Sequence, residues 1–240
     1  MVGGGHNQHR DLCRQCFSQG PTVGSIEDEL GTQFGEGPQA TPPNPMVVVI
    51  SGPSGVGKDA VVKRLLEVRP EIHFVVTCTS REKRQGEKEG VDYFFVTKNK
   101  FREMIDHNEL LEHAVVYGEY KGIPKRQLRE YMEQGKDVLL RLDVQGAATI
   151  RKILGDSAVY IFIVAESERG LVERLVERGS ETHDQLLMRV ANARKEVARS
   201  NEFEYVIENA AHQLDRSVSR ICSILDAEKS RFHPKRPNIL

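Results

Sequence analysis

Short apolar runs alternate with amphipathic segments along most of the chain after residue 45. The run at residues 46–51 is apolar up to its last residue, which is typical of a strand buried on both faces. The same pattern predicts further strands at residues 74–78, 93–96, 110–117, 137–142, 158–164 and 205–207. Helical periodicity, with its capping residues, predicts helices at residues 59–68, 97–107, 125–134, 147–154, 167–178, 182–200 and 214–232. Strands that alternate with helices predict an α/β fold built on a parallel sheet.

The first 45 residues have a different composition. They contain 8 of the 20 glycines and 5 of the 10 prolines, no lysine, and no periodic apolar pattern. This composition predicts a disordered N-terminal tail at residues 1–45, followed by a folded domain at 46–232 and a short tail at 233–240. The N-terminal segment lacks the apolar stretch of a signal peptide, and its acidic residues are unusual for an organelle transit peptide.

Charge and cysteine content exclude several classes of protein. Lys and Arg total 34 and Asp and Glu total 35, which argues against a basic protein that binds nucleic acid. No apolar run approaches the roughly 18 residues of a membrane-spanning helix, so we expect neither a nucleic acid nor a membrane as partner. The 4 cysteines are too few and too scattered for a disulfide scaffold, which favours a reducing compartment.

A glycine-rich segment follows the first predicted strand and precedes the first predicted helix. It matches G-x-x-x-x-G-K, in which glycines let backbone N–H groups turn towards phosphate oxygens. The positive end of the following helix and the lysine ammonium add to the attraction for phosphate. The segment therefore predicts a nucleotide-phosphate site made of Gly52, Pro53, Ser54, Gly55, Val56, Gly57 and Lys58.

The residue after this lysine departs from the usual pattern. A Ser or Thr that binds Mg²⁺ commonly stands there, whereas this chain has Asp59. A carboxylate can also ligate Mg²⁺, directly or through water, but it brings a negative charge close to a triphosphate. We expect Asp59 to lie near the metal and the site to depend strongly on Mg²⁺.

A second cluster of polar residues lies about 25 residues further along the chain. It combines hydroxyl groups with Arg81, Arg84 and Tyr93. Guanidinium groups bind phosphate oxygens through paired hydrogen bonds, so the cluster is a candidate site for a second phosphate. Taken alone, such a charged run is also typical of a solvated loop.

Five motifs together resemble guanylate kinases, in the order in which that family has them. They are residues 52–58, residues 80–87 (Ser-Arg-Glu-Lys-Arg-Gln-Gly-Glu), residues 90–95, residues 142–147 (Leu-Asp-Val-Gln-Gly-Ala) and residues 174–179. The match covers residues 46–232, and the segments 52–59 and 119–124 look most like the plant plastid and mitochondrial branch.

The resemblance implies a P-loop nucleoside monophosphate kinase fold, with a parallel sheet core, a small GMP-binding region at about residues 79–123 and a helical lid at about 174–194. It implies transfer of the γ-phosphoryl group of ATP to GMP and dGMP, with Mg²⁺ as cofactor and ATP and GMP as small-molecule substrates. It further implies a monomer in plastids or mitochondria, with the cytoplasm as the alternative location.

The resemblance also implies roles for individual residues. The GMP phosphate would be held by Thr77, Arg81, Arg84, Tyr93 and Lys121. The guanine would be read by Glu112, with Asp143 near the base and the metal. The lid would reach the phosphates through Arg174, Arg178 and Arg189, and Asn209 would lie near the adenine of ATP.

The contact expected between Glu112 and guanine agrees with the hydrogen-bonding groups of the base. Guanine presents N1–H and the 2-amino group as adjacent donors, and a carboxylate can accept from both. Adenine has an acceptor at N1 and no 2-amino group, so it would leave the carboxylate unpaired.

Three positions depart from the family pattern. Lys121 replaces a tyrosine that helps to hold the phosphate, and Ile123 replaces a hydroxyl that contacts guanine O6. Arg141 stands where a carboxylate is common. These differences make guanine preference a separate question from the type of reaction.

Two other classes of function remain as alternatives. One is a guanylate-kinase-like module that has lost catalysis and binds peptides. The other is a kinase for another nucleoside monophosphate or a phosphorylated sugar. An intact phosphate-binding loop and intact lid arginines favour a working kinase over the binding module.

Overall fold

The computed structural model describes residues 22–37, 44–84, 86–116, 118–177, 183–235 and 237, within two compact units, Met1–Pro42 and Pro43–Leu240. The helices are α1 (Val23–Leu30), α2 (Lys58–Val68), α3 (Lys98–Asp106), α4 (Lys125–Glu133), α5 (Val144–Leu154), α6 (Glu168–Glu177), α7 (His183–Val197) and α8 (Leu214–Lys229). The strands are β1 (Val47–Ser51), β2 (His73–Phe74), β3 (Cys78–Thr79), β4 (Phe94–Phe95), β5 (Leu110–Val116), β6 (Glu119–Pro124), β7 (Val138–Arg141), β8 (Val159–Val164) and β9 (Tyr205–Glu208).

The described part of the first unit contains helix α1, within the segment expected to be disordered. Thr22 caps the helix, and its side chain and that of Ser25 bond each other's backbone N–H groups. Gly31 ends the helix in the left-handed conformation at φ 67°. Both end signals are present in the sequence, but a helix of 8 residues has too few turns to produce a clear periodic pattern.

The second unit is built on a five-stranded sheet in the order β2-β7-β1-β8-β9. All of its strand pairs are parallel, which confirms the predicted α/β class. Because the strands run in one direction, their carboxyl ends meet at a single edge, where ligands bind in folds of this kind. Residues that follow β1, β7, β8 and β9 are therefore neighbours.

Two layers of helices cover this sheet, and alternate side chains of β1 face them. Val48 and Ile50 pack in a cluster that includes residues of α2 and α8. Val47 and Val49 pack on the opposite face with residues of α4 and α5. Since every residue of β1 is buried, the strand is rigid where the glycine-rich loop begins. Among the described residues, no helix is long and apolar enough to cross a membrane.

A second sheet, in the order β4-β3-β6-β5, projects from the same unit. Its β3–β6 and β5–β6 pairs are antiparallel, and β3 pairs with β4 in parallel. A small core of Cys78, Phe101, Met104 and Leu110 lies between this sheet and α3. Burial raises the pKa of the Cys78 thiol to about 12, so the thiol stays protonated at neutral pH.

The predicted strand at residues 74–78 is wrong, because the chain changes sheets within it. β2 ends at Phe74 in the parallel sheet, and β3 begins at Cys78 in the second sheet. Between them, the side-chain amide of Gln127 accepts from the Val76 backbone N–H at 3.1 Å and donates to its carbonyl at 2.9 Å. A side chain thus takes the place of a neighbouring strand, which lets the backbone cross from one sheet to the other.

Candidate active site

The glycine-rich loop joins β1 to α2, as the sequence predicts, and its glycines are required by their surroundings. Gly52 has φ 145°, and a Cβ atom there would lie 2.3 Å from the carbonyl oxygen of Ile163 on β8. Gly57 has φ 92°, and a Cβ atom there would lie 2.6 Å from Nδ2 of Asn209. A side chain at Gly52 would therefore clash with the backbone of β8, and one at Gly57 would clash with the Asn209 amide.

The Lys58 side chain folds back over this loop. Its Nζ donates to the carbonyl oxygens of Gly52 at 2.6 Å and Pro53 at 2.9 Å. Burial lowers the pKa of Lys58 to about 8, although nearby carboxylates, Glu196 first among them, oppose this effect. A desolvated ammonium held in this way is a strong partner for a phosphate oxygen.

Asn209 directly follows β9 and is hydrogen-bonded to the glycine-rich loop. Its Nδ2 donates to the Val56 carbonyl at 2.9 Å, and Ser217 donates to its Oδ1 at 3.3 Å. The predicted contact between Asn209 and adenine stays a prediction. In the structure, this buried amide positions the loop.

Arg174 of α6 joins the same network. Its guanidinium donates to the Asn209 carbonyl at 2.9 Å and the Val56 carbonyl at 3.4 Å. It also pairs with Glu166 at 2.5 Å. The structure therefore places this predicted lid arginine beside the phosphate-binding loop. The predicted lid residue Arg178 lies outside the described residues.

Helix α7 reaches the other side of the loop with two side chains. Arg189 lies 3.5 Å from the hydroxyl oxygen of Ser54, which brings a second lid arginine to the loop. Glu196 accepts from the Ser54 backbone N–H at 3.3 Å, and burial raises its pKa while Lys58 opposes the rise. Sequence reasoning missed Glu196. The signal was its spacing of seven residues from Arg189, which puts both side chains on one helix face.

The Arg81 guanidinium forms the centre of the second phosphate-binding cluster. It makes paired bonds to the Glu87 carboxylate at 2.8 and 2.6 Å, and it lies 5.1 Å from the centre of the Tyr93 ring. Arg81 in turn lowers the pKa of Glu87 to about 2. Glu87 also accepts from the Arg84 backbone N–H at 2.9 Å, while the Arg84 side chain is exposed. Glu87, to which the sequence analysis gave no role, thus organises this cluster.

Glu112 and Asp143 form the candidate base-reading pair. Glu112 lies on β5 with 8% of its surface exposed, and burial raises its pKa to about 7, with a further contribution from the negative charge of Asp143. Asp143 follows β7 and caps α5 by accepting from the Gly146 N–H at 2.8 Å. The buried residue paired with Glu112 across the sheet is Ile123, one of the departures noted above.

The two remaining predicted residues of the GMP site belong to the second sheet and its approach. Lys121 lies on β6 opposite Thr79 and Ala114. The carbonyl of Thr77 accepts from the Phe94 N–H at 2.9 Å, which ties the chain before β3 to β4. Both side chains are half-buried.

Asp59 and Arg141, two positions at which the chain departs from the family pattern, pair with each other. Arg141 donates to Asp59 at 2.5 Å. The Asp59 carboxylate, expected near a metal, is 78% exposed and is bound to this guanidinium. The two departures therefore compensate each other in charge.

Comparison with known proteins agrees with this arrangement. The sequence profile of the guanylate kinase family matches residues 44–228. The chain belongs to the guanylate kinase family. It is 59% identical over 214 residues to guanylate kinase 2, chloroplastic/mitochondrial, of Oryza sativa subsp. japonica, a match that covers 89% of this chain and 75% of the relative.

More distant guanylate kinases extend the comparison. A guanylate kinase of Clostridium perfringens is 40% identical over 195 residues, covering 81% of this chain and 89% of the relative. The crystal structure of guanylate kinase from Anaplasma phagocytophilum superposes with a TM-score of 0.65 at 30% identity, covering 80% of this chain and 89% of that one. The P-loop kinase fold expected from the resemblance is confirmed.

Proposed function

We propose that two separate parts of the protein bind the two substrates for the transfer of a phosphoryl group from ATP to GMP. This is the reaction of the guanylate kinase family, to which the chain belongs. The glycine-rich loop binds the ATP phosphates, and the second sheet binds GMP. The observation that carries this assignment is the position of Lys58, a half-buried residue that begins α2 and whose ammonium folds back onto the glycine-rich loop. Such a loop provides N–H donors and positive charge for a polyphosphate.

In this reaction the protein does not need to form a covalent bond with either substrate. An anionic oxygen of the GMP phosphate bonds to the γ-phosphorus of ATP. The bond from that phosphorus to the β–γ bridging oxygen breaks, and ADP leaves with the electron pair. Because the nucleophile is already anionic, no general base is required. Catalysis then depends on bringing two polyanions into line and on neutralising their charge with Lys58, Arg174, Arg178 and Arg189.

On the GMP side, the phosphate is bound by Arg81, Arg84, Tyr93, Thr77 and Lys121. Glu112 accepts from guanine N1–H and the 2-amino group, with Asp143 beside it. This contact requires an ionised Glu112, although burial favours its protonated form. Two donors from guanine offset the desolvation of the carboxylate, whereas adenine cannot supply them.

The donor set also fits Mg²⁺ as a cofactor. No group of three or more His, Cys, Asp or Glu side chains among the described residues could enclose a metal. Mg²⁺ suits such a site because it keeps several waters and takes one or two carboxylates together with substrate phosphates. Asp59 and Asp143 are the carboxylates that would hold it, and it would neutralise charge on the transferred phosphoryl group.

We further infer that the enzyme acts as a monomer in plastids or mitochondria, with no nucleic acid or membrane partner. The location is supported by the rice relative, whose name places it in chloroplasts and mitochondria. The balanced charge of the chain supports the absence of a nucleic acid partner.

A coupled assay of ADP release across GMP, dGMP, AMP, UMP and CMP tests the proposed function. Turnover with GMP and dGMP, and far less with the other three, is the expected result. ATP-dependent turnover that favours another monophosphate would overturn the base assignment. Absence of turnover with all five would favour the peptide-binding alternative.

Replacing Arg81 or Arg84 by Ala is expected to raise KM for GMP far more than KM for ATP. Loss of a charge-assisted hydrogen bond to phosphate corresponds to roughly 1.5–3 kcal/mol, or about 10–150-fold. Steady-state kinetics with each substrate varied in turn measure the effect. Lys83, an exposed neighbour in the same loop, provides the control, and its replacement by Ala should change neither constant by more than about twofold. Equal changes for the Lys83 and arginine variants would contradict the assignment.

A further inference from the structure

The Arg141 side chain lies at the junction of the two substrate sites. Arg141 ends β7 and pairs in register with Ile50 of β1, just before the glycine-rich loop begins. Its side chain is only 17% exposed. It is therefore a largely buried cation at the edge of the sheet where phosphate groups are bound.

Two aromatic rings hold the Arg141 guanidinium in place. Its central carbon lies 5.4 Å from the ring centre of Phe74 and 5.6 Å from that of Tyr93. Tyr93 is also the ring beside Arg81, at 5.1 Å, so the two guanidinium groups lie against the same aromatic ring. These cation–π contacts help to orient the guanidinium, whose Nη1 donates to Asp59.

The ion pair between Arg141 and Asp59 holds the guanidinium only weakly. Asp59 contributes a single oxygen at 2.5 Å, and 78% of its side chain is exposed. Water screens an ion pair that has an exposed partner, so such a pair contributes little to stability. A phosphate can accept two bonds from one guanidinium and carries more charge, so it competes well with this carboxylate.

We propose that Arg141 is a further GMP-phosphate ligand, held by the Asp59 carboxylate until the phosphate of GMP replaces it. This inference rests on the proposed function, because it takes GMP as the ligand of the Tyr93 side of the site. Arg141 and Arg81 then bind the phosphate together. The exchange also separates Asp59 from its cation next to the ATP-binding loop. Asp59 is thus a competitor that sets the affinity for GMP.

Calorimetric binding of GMP and guanosine to the full chain, without ATP, tests this inference. Arg141→Gln should weaken GMP binding by about 10–100-fold and leave guanosine binding unchanged, since guanosine lacks the phosphate. Asp59→Asn should strengthen GMP binding by about 2–5-fold, because it removes the competing carboxylate. In an Arg141→Gln background, Asp59→Asn should have no effect on GMP affinity. Arg126→Gln, which breaks an exposed ion pair with Glu130 on α4, is the matched control.

Two results would overturn the inference. One is an Arg141→Gln variant that binds GMP as the parent does and only melts at a lower temperature, since this describes a structural ion pair. The other is an equal loss of GMP and guanosine binding, since this describes a general disturbance of the site. If the parent chain phosphorylates GMP while either result is found, only the role of Arg141 fails. If the parent chain neither binds nor phosphorylates GMP, the proposed function itself fails.

Discussion

Replacing Lys58 by Met is expected to lower kcat by a factor of at least about 10²–10³, comparable to the removal of a donor aimed at transition-state charge. Met has a similar length but no charge, so the transferred phosphoryl group loses its nearest cation in the loop. The carbonyl oxygens of Gly52 and Pro53 also lose their donor. The coupled ADP-release assay at saturating ATP and GMP measures the loss.

Lys63 provides the matched control for this experiment. It lies on the same helix, five residues further along, and its side chain is exposed. Lys63→Met should leave kcat within about twofold of the parent value. Thermal melts of both variants separate loss of chemistry from loss of fold. Retention of most of the activity by a folded Lys58→Met variant would refute the phosphate-binding role of the loop.

Replacing Glu112 by Gln is expected to reduce the preference for GMP over AMP, measured as the ratio of the two kcat/KM values, by about 10–100-fold. The carboxamide offers one acceptor and one donor where guanine presents two donors. Glu109→Gln, an exposed change close by in the chain, serves as the control and should leave the ratio unchanged. An unchanged ratio for Glu112→Gln would show that another group reads the base.

The raised pKa of Glu112 predicts how stability depends on pH. Burial lifts the pKa from 4.5 to about 7 in the folded protein, so the protonated form favours folding. This contribution is complete below about pH 4.5 and is lost as the pH rises through about 7. Glu112→Gln mimics the protonated form, so we expect it to stabilise the nucleotide-free protein at pH 8, by on the order of 3 kcal/mol, and little at pH 5. Chemical denaturation at both pH values measures this. Equal effects at the two pH values would contradict the buried, ionising carboxylate.

The glycine-rich loop could be predicted from the sequence because its determinants are local. Strand, turn and helix follow one another within about 20 residues, and each has its own signal in hydrophobic pattern, glycine spacing and cap. The change of sheets after Phe74 could not be predicted in this way. It depends on the amide of Gln127, a residue of α4 that lies 51 positions from Val76. An apolar run has the same pattern whether it remains in one sheet or leaves it.

The charged contacts of the site were also hard to predict, because the residues that form them lie far apart in the sequence. Arg141 and Asp59 are 82 positions apart, and Glu196 and Ser54 are 142 apart. In the sequence, Arg141 and Asp59 are recognisable only as two separate departures from the family pattern. Their proximity depends on the parallel sheet, which brings the ends of β7 and β1 to one edge. Residue type therefore identified the candidates, and topology determined which of them interact.

The buried Cys78 makes the second sheet accessible to a chemical measurement of its opening. Cys78 is only 3% exposed, and burial raises the pKa of its thiol to about 12, so we expect alkylating reagents to reach and modify it when the core between the sheet and α3 opens. Cys222, the other cysteine in the described part of the chain, is partly exposed. Of these two thiols Cys222 is therefore modified first, and the slower labelling of Cys78 reports how often the core around Phe101 opens. Nucleotides that close the enzyme should slow this second reaction, which gives a measure of ligand-induced rigidity from a thiol that the chain already carries.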